Sequence, residues 1–230
     1  MTIKYHNDLV QGSDEWHAAR CGLLTASEID RILTPKLKIA DNVKTRAHLW
    51  ELAAQRISHF VEPQYISDAM LRGHEDEILA RALYSGEYAP VEEVGFVTND
   101  KWGFTLGCSP DGLVGADGMI ECKSRCQKYQ VQTIVEEWTG VASIPEEYSL
   151  QVQAQLLVTG RRWCDFVSYS GGLPMAVFRV EADQAVQDAI IEAAAKFEAR
   201  INEVVADFHA AVKARGYHPT ERRTEEEMVI

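Results

Sequence analysis

Residues 103–123 have the sequence GFTLGCSPDGLVGADGMIECK, and this stretch decides the fold. Its two ends, 103–108 and 119–123, are rich in apolar residues and predict strands. Between them, the Pro-Asp-Gly and Ala-Asp-Gly triplets are typical of tight turns. The segment therefore predicts a β-hairpin or meander, in which residues distant in sequence lie side by side.

The hairpin is expected to bring three chemically active side chains together. Alternate residues of a strand share a face, so Glu121 and Lys123 point the same way and Cys122 points the opposite way. Asp111, at the end of the preceding strand, adds a second carboxylate. Two carboxylates offer the oxygen ligands that Mg²⁺ prefers, and an amine beside them is suited to orient or deprotonate a water that attacks a phosphodiester. Exposed hairpin charges are the alternative, because this spacing alone is common.

Helical and extended patterns alternate on both sides of this segment. Apolar residues three and four apart predict helices, and short apolar runs bounded by turn residues predict strands. The predicted helices cover 14–20, a stretch that begins at 25 with a Thr-x-x-Glu capping box, 46–60, 68–87, 147–160 and 182–215, and further strands are predicted at 91–98, 163–169 and 175–180. This order predicts an α/β (α+β) domain with a central mixed β-sheet flanked by helices.

The composition suits one globular domain spanning 1–230. A chain of 230 residues with 46% hydrophobic residues buries a sizeable core, and only the polar tail, 217–230, is expected to be loosely held. No apolar run of roughly 18 residues predicts a membrane span, and 1–11 lacks the pattern of a signal peptide. Five cysteines, an odd number, are expected to be reduced thiols. These features predict a cytosolic location.

The net charge of −12 counts against a nucleic-acid partner, because proteins that bind DNA usually display an excess of Lys and Arg. A cleft or ring needs only a local basic lining, however. Carboxylates gathered for metals, or placed on an outer surface, lower the total charge without touching that lining. The composition therefore leaves a DNA partner open.

Two helix starts carry further polar groups. The segment Gly73-His74-Glu75-Asp76-Glu77 offers either a further metal ligand or acids that simply complement the helix dipole. Thr25 and Ser27 lie at a predicted helix N-terminus, where free N–H groups attract an anion. Thr25 serves equally as a simple cap.

Ser109-Pro110-Asp111-Gly112 followed by Glu121-Cys122-Lys123 is a PD…ExK arrangement, and the chain resembles the lambda-exonuclease and YqaJ-type family of viral recombination nucleases in the PD-(D/E)XK superfamily. The resemblance extends over about residues 11–170 in ordered blocks, and beyond them only the long closing helix aligns. The matching blocks are Gln11-Gly12, Trp16, Arg20, Gly22, Thr25-Ala26-Ser27, Gly73, Glu77, Gln151-Val152-Gln153 and Val158-Thr159. The implied fold is the restriction-endonuclease-like core.

This resemblance also implies an activity. Members of this kind are processive, Mg²⁺-dependent exonucleases that degrade the 5′-phosphorylated strand of double-stranded DNA to mononucleotides and leave a 3′ overhang, with Mn²⁺ as an alternative metal. The implied partners are double-stranded DNA ends, two further copies of the chain in a ring-shaped homotrimer, and a phage single-strand annealing protein. The gene would belong to a phage or prophage, and the protein would act in the bacterial cytoplasm, away from the membrane.

The implied catalytic residues are those of the hairpin and two helices. Asp111 and Glu121 would hold Mg²⁺ together with the Cys122 backbone carbonyl, and Lys123 would activate the water. Two further residues complete the implied set: Glu77, as an acid beside this metal or a ligand of a second one, and Gln151, which would position water or substrate. A polar helix face is the alternative interpretation of Gln151 and its neighbour Gln155.

The resemblance further implies a pocket for the 5′-terminal phosphate, made of Arg20, Thr25, Ser27 and Ser109. Met70 occupies the place of an apolar wedge that helps to split the terminal base pair, and a core methionine is the alternative.

The chain departs from lambda-type sequences at Ser124-Arg125, where those carry Cys-Pro. Glu75 and Asp76 also crowd Glu77, so the sequence leaves open both the identity of the helix acid and a second metal ion.

Two other functions compete with the exonuclease. An endonuclease or junction resolvase on the same core would not need a 5′-phosphate pocket, so Arg20 and Ser27 argue against it. A catalytically silent DNA-binding subunit would not need an intact set of Asp111, Glu121 and Lys123.

Overall fold

The computed structural model describes residues 2–63 and 67–222. The helices are α1 (Asp14–Arg20), α2 (Val43–Ser58), α3 (Asp68–Glu87), α4 (Gln127–Trp138), α5 (Glu146–Thr159) and α6 (Gln184–Arg215), with a 3₁₀ helix at Ala26–Arg31. The strands are β1 (Ile3–His6), β2 (Leu24–Thr25), β3 (Phe96–Asn99), β4 (Leu106–Cys108), β5 (Gly112–Val114), β6 (Gly118–Ser124), β7 (Trp163–Tyr169) and β8 (Ala176–Glu181).

The strands of this part of the chain form two mixed sheets, where the sequence predicted one central sheet. The first has the order β1-β3-β4-β2, and only its β2–β4 pair is parallel. The second has the order β5-β6-β7-β8, and only its β6–β7 pair is parallel. The break falls between β4 and β5 at Pro110, which has no N–H to donate to a ladder. The predicted mixed α/β architecture with flanking helices is confirmed.

Strand β6 lies between two core clusters. Met119 packs in the larger cluster, which includes Leu156 of α5. Ile120 and Cys122 pack in the smaller one, which includes Tyr84 of α3. Because neighbouring residues of a strand face opposite sides, Glu121 lies on the side of α5.

Several helices and strands begin and end where the sequence predicted, or close to it. The helices at 14–20 and 68–87 and the strand at 163–169 are confirmed residue by residue. The stretch that begins at Thr25 is a 3₁₀ helix, and the predicted capping box is present, since Glu28 Oε2 accepts from the Thr25 N–H at 3.1 Å. The strand predicted at 91–98 was too long, because the extended ladder there begins only at Phe96.

Helix α4 was missed because its apolar pattern is inverted. Its inward positions are the polar residues Gln130 and Thr133, which are buried, whereas Val131, Val135 and Trp138 are exposed. Gln130 reaches into the core to bond the carbonyl of Ser168 at 3.0 Å. Prediction from apolar periodicity has no signal for such a helix. The short strands β1, β2 and β5 were missed as well.

Residues 217–222 of the predicted tail have neither helix nor strand, and 223–230 lie outside the described residues. The five cysteines form no disulfide with one another. Within 2–63 and 67–222, no helix is both long enough and apolar enough to cross a bilayer.

Candidate active site

The turn between β4 and β5 places Asp111 against β6. Strands β5 and β6 pair in antiparallel register with Gly112 opposite Ile120, so Asp111 stands next to Glu121 and Cys122. The Cys122 N–H donates to Asp111 Oδ2 at 2.5 Å. Asp111 is only 8% exposed and takes part in none of the ion pairs found among the described residues. The structure therefore brings together the acids that the sequence predicted would meet.

Glu121 is the most enclosed acid of the site, at 2% exposed. Lys123 Nζ lies 2.5 Å from its Oε1, so the two side chains share one face of β6 as predicted. Gln151 Nε2 also donates to Oε1, at 2.6 Å. On the other oxygen, Gln155 Nε2 donates to Oε2 at 2.7 Å. Together, the contacts from Lys123, Gln151 and Gln155 hold the Glu121 carboxylate in one orientation.

Burial and mutual repulsion act on the protonation of these acids. Burial raises the pKa of Asp111 well above its usual range, and the neighbouring charges of Glu121 and Glu77 raise it further. Burial likewise raises the pKa of Glu77, although Arg81 opposes this. The carboxylates are therefore crowded in a poorly solvated place, and a cation is the natural way to relieve that crowding.

Lys123 carries a positive charge at this site. Burial alone lowers its pKa, but the charges of Glu121 and Asp111 outweigh burial, and the net pKa is raised above the ordinary value of a lysine. The ammonium also lies 5.3 Å from the centre of the Tyr148 ring. Lys123 is thus a fixed cation beside two carboxylates.

Among the three candidate acids of α3, Glu77 is the one linked to Asp111. Arg81 Nη1 bonds Glu77 Oε1 and the Asp111 backbone carbonyl, both at 3.2 Å, and so ties the two residues together. Asp76 instead accepts from the Ser124 hydroxyl, at 2.5 Å, and Glu75 is exposed. The geometry favours Glu77 as the helix acid that the sequence left open.

The residues of the predicted phosphate pocket also converge. Arg20 Nη2 donates to Thr25 Oγ1 at 3.1 Å, and Ser27 Oγ lies 3.3 Å from that same hydroxyl. Trp16 Nε1 donates to Ser109 Oγ at 2.9 Å, and the Arg20 guanidinium lies 4.3 Å from the Trp16 ring centre.

Arg20 is a partly buried cation without an acidic partner. None of the ion pairs within 2–63 and 67–222 includes it, and burial lowers its pKa despite the nearby charge of Glu28. A partly buried guanidinium in such a setting is well suited to bind a ligand anion.

One cavity of about 180 Å³ joins these two groups of residues. Both the acid–lysine cluster and the candidate phosphate pocket line it. The lining residues are Gln11, Trp16, Arg20, Thr25, Ala26, Ser27, Cys108, Ser109, Asp111, Glu121, Lys123, Gln151 and Gln155. Eight residues of this lining were singled out from the sequence.

Three singled-out residues do not line this cavity. Glu77 is connected to the cavity residue Asp111 by Arg81, which bonds both of them. Cys122 is connected to the same residue, because its N–H donates to the Asp111 carboxylate. Met70 is on the first turn of α3 and is 53% exposed, so the alternative of a core methionine was wrong.

Sequence reasoning missed two contributors. Arg81 links the helix acid to the hairpin, and its only signal was its position four residues after Glu77. Gln155 was weighed as part of a polar helix face, but it is 1% exposed and bonds Glu121. Its place one turn after Gln151 was the available signal.

No cluster of three His, Cys, Asp or Glu side chains able to hold a metal ion exists within the described ranges. A metal here would therefore depend on two carboxylates, backbone oxygen, water and substrate. This sparse set is compatible with Mg²⁺, which usually keeps several waters and binds through one or two carboxylates plus substrate phosphate.

A mixed α/β fold in which a turn Asp, a strand Glu and a Lys two residues later converge defines a nuclease of the PD-(D/E)XK type. The model of the YqaJ-like viral recombinase domain family matches residues 15–162, and the chain belongs to this family. The family prediction made from the sequence is confirmed.

Solved structures agree with this assignment. The chain is similar to an alkaline exonuclease (LHK-Exo) from Laribacter hongkongensis, with 34% identity and a TM-score of 0.70 over 86% of this chain and 100% of that one. The same enzyme in complex with dAMP gives 34% identity and a TM-score of 0.71 over the same shares. A phage-related exonuclease from Haemophilus somnus 129PT shares the fold, with 12% identity and a TM-score of 0.63 over 81% of this chain and 96% of that one. No curated protein sequence matches the chain.

Proposed function

We propose that the chain is a Mg²⁺-dependent 5′-to-3′ exonuclease that degrades the 5′-phosphorylated strand of double-stranded DNA to mononucleotides and leaves a 3′ overhang. The observation that carries this proposal is the shared cavity, which joins an arginine without an acidic partner to an acid–lysine cluster. A terminal phosphate held by Arg20 would present the adjoining phosphodiester to Asp111, Glu121 and Lys123. The related LHK-Exo was crystallised with dAMP, a mononucleotide, which agrees with a mononucleotide product.

The proposed division of labour uses each side chain according to its contacts. Asp111 and Glu121, with the Cys122 carbonyl, would hold Mg²⁺, and Mn²⁺ is an alternative with similar ligand preferences. When bound, the metal would lower the pKa of a water ligand and offset charge on the phosphate. Lys123 would orient the attacking water and donate to a phosphate oxygen. Gln151, on α5, lines the cavity and would position water or substrate there. Glu77 would serve as an acid beside this metal or as a ligand of a second one.

The family resemblance also implies a phosphate pocket, a wedge and partners, which we propose for this chain. The phosphate pocket would comprise Arg20, Thr25, Ser27 and Ser109, and the exposed Met70 would serve as the wedge at the terminal base pair. We propose that three copies form a ring on a DNA end, that a phage single-strand annealing protein takes over the 3′ overhang, and that both act in the host cytoplasm. Measuring the mass of the protein in solution tests the trimer.

One assay separates the proposed exonuclease from its two rivals. Linear duplex with 5′-phosphate, linear duplex with 5′-hydroxyl and closed circular duplex are each incubated with Mg²⁺ or with EDTA. The exonuclease predicts mononucleotides from linear duplex, with a preference for the phosphorylated end. Nicking of circles indicates an endonuclease or resolvase, and the absence of Mg²⁺-dependent cutting indicates a silent DNA-binding subunit.

Replacing Arg20 by Ala is expected to reduce the preference for 5′-phosphate over 5′-hydroxyl ends about 10- to 100-fold, because charge-assisted hydrogen bonds to the phosphate are lost. The ratio of kcat/KM on the two duplexes measures this preference. Arg162→Ala is the matched control. The Arg162 side chain is 79% exposed, and its ion pair with Asp117 is long, at 3.9 Å. An unchanged ratio in Arg20→Ala would refute the phosphate pocket without touching the metal site.

A further inference from the structure

Helix α5 directs two glutamines, one turn apart, at a single carboxylate. Gln151 holds one oxygen of Glu121 and Gln155 holds the other, at 2.6 and 2.7 Å. We propose that Gln155 is a positioning residue, which fixes the Glu121 carboxylate for a divalent cation through the hydrogen bond that its Nε2 donates. This inference rests on the proposed function, in which Glu121 is a metal ligand.

The orientation of the Gln155 amide is determined by its neighbour. If the amide were turned over, its oxygen would face Glu121 Oε2 at about the observed 2.7 Å, and two acceptors would repel each other. The Nε2 group must therefore point to Glu121. The carbonyl oxygen Oε1 consequently points away from Glu121.

That carbonyl oxygen is buried and has no hydrogen-bond partner within the described part of the chain. Buried side-chain oxygens are nearly always paired, with protein or with ordered water. Leaving such an oxygen unpaired destabilises the fold. The Gln155 amide is therefore held at this position by the bond that its Nε2 donates to Glu121, since its oxygen gains no bond there.

A neutral donor suits this position better than a charged one. Lys123 already supplies a cation to Glu121 Oε1. A second cation at Oε2 would neutralise the carboxylate and repel a metal, whereas the amide of Gln155 orients the oxygen and leaves the negative charge in place. Groups that orient metal-binding side chains typically contribute about 10- to 100-fold to metal affinity.

The test measures metal binding without catalysis. Calorimetric titration of the full chain with Ca²⁺ alone, in the absence of DNA, is compared between the wild type, Gln155→Met and Gln155→Asn. Methionine keeps the length and removes both polar atoms, whereas asparagine keeps the amide and is too short to reach Glu121. Circular dichroism at the titration temperature confirms that each variant is folded.

Gln153→Met is the matched control on the same helix. Gln153 is also buried, but its Nε2 bonds the Glu181 carbonyl and its Oε1 accepts from the Asp183 N–H, both at 2.8 Å, away from the cavity. We expect the Ca²⁺ dissociation constant to rise about 10- to 100-fold in both Gln155 variants and to stay unchanged in Gln153→Met. In parallel, the Mg²⁺ concentration for half-maximal cutting should rise, with the KM for DNA unchanged.

The outcomes separate this inference from the proposed function. If the wild type binds Ca²⁺ and the folded Gln155 variants bind it equally well, the positioning role is overturned and the metal site stands. Should the wild type bind no divalent cation by calorimetry, the proposed metal site fails, and the role of Gln155 fails with it.

Discussion

Replacing Lys123 by Ala is expected to lower kcat by at least roughly 100-fold, the loss typical of removing one group that stabilises charge in the transition state. The ammonium lies 2.5 Å from Glu121 and lines the same cavity as the candidate phosphate pocket. Its removal takes away the cation that would orient the attacking water. The fold and metal binding should survive, because neither Asp111 nor Glu121 is changed. Single-turnover cutting at saturating Mg²⁺ measures the effect.

Lys128→Ala is the matched control for this experiment. Lys128 is exposed on α4 and contacts the Tyr129 ring at 4.5 Å, so the variant removes an equal charge from the same region without changing the cavity. Calorimetry with Ca²⁺ checks that Lys123→Ala still binds a divalent cation. Near-normal turnover in the folded Lys123→Ala protein would refute the catalytic role of Lys123.

Replacing Asp111 by Asn is expected to abolish Mg²⁺-dependent cutting and, at the same time, to stabilise the metal-free protein. Cutting is lost because an amide is a poorer Mg²⁺ ligand than a carboxylate. We expect a loss of at least roughly 100-fold in kcat/KM. The gain in unfolding free energy should be about 1 kcal/mol, which for a chain of this size corresponds to a Tm increase of roughly 2–4 °C.

The stabilisation follows from the direction of the pKa shift. Burial, Glu121 and Glu77 raise the pKa of Asp111, so the folded protein holds the proton more tightly than the unfolded chain. Stability is therefore lost as the pH rises from the ordinary pKa of an Asp to the raised one. Asparagine has no charge to bury, and its side-chain oxygen still accepts from the Cys122 N–H. The stability difference between Asn and Asp should grow with pH across that window.

Asp117→Asn is the matched control, because Asp117 lies in the same hairpin with a side chain that is 59% exposed. Thermal unfolding in EDTA and in Mg²⁺ compares all three proteins. Mg²⁺ should stabilise the wild type and Asp117→Asn, because it binds only the folded state. A metal-free Asp111→Asn protein that is less stable than the wild type would contradict the predicted repulsion among the carboxylates.

Much of the site was predictable from local sequence alone. A strand alternates its side chains, so Glu121 and Lys123 had to share a face once β6 was recognised. The turn at Pro110 likewise had to return Asp111 to the neighbourhood of β6. The capping box placed Thr25 at a helix start in the same local way. These predictions succeeded because each depends on geometry within a few residues.

Other features arise only from tertiary packing. The sequence did not decide among Glu75, Asp76 and Glu77, because only the packing of α3 on β6 places Arg81 between Glu77 and Asp111. Helix α4 escaped prediction because its buried positions, Gln130 and Thr133, are polar, and Gln130 bonds carbonyls that are distant in the chain.

The amino-acid sequence by itself determined the family, the hairpin and the set of residues with the right chemistry. Tertiary packing was needed to show that Arg20, without an acidic partner, lines the same cavity as the acids, and that Gln155 contacts Glu121 and is not a surface residue. The physical reason is that periodicity reports which face of an element is apolar, whereas burial and pairing of a polar side chain depend on groups far away in the chain.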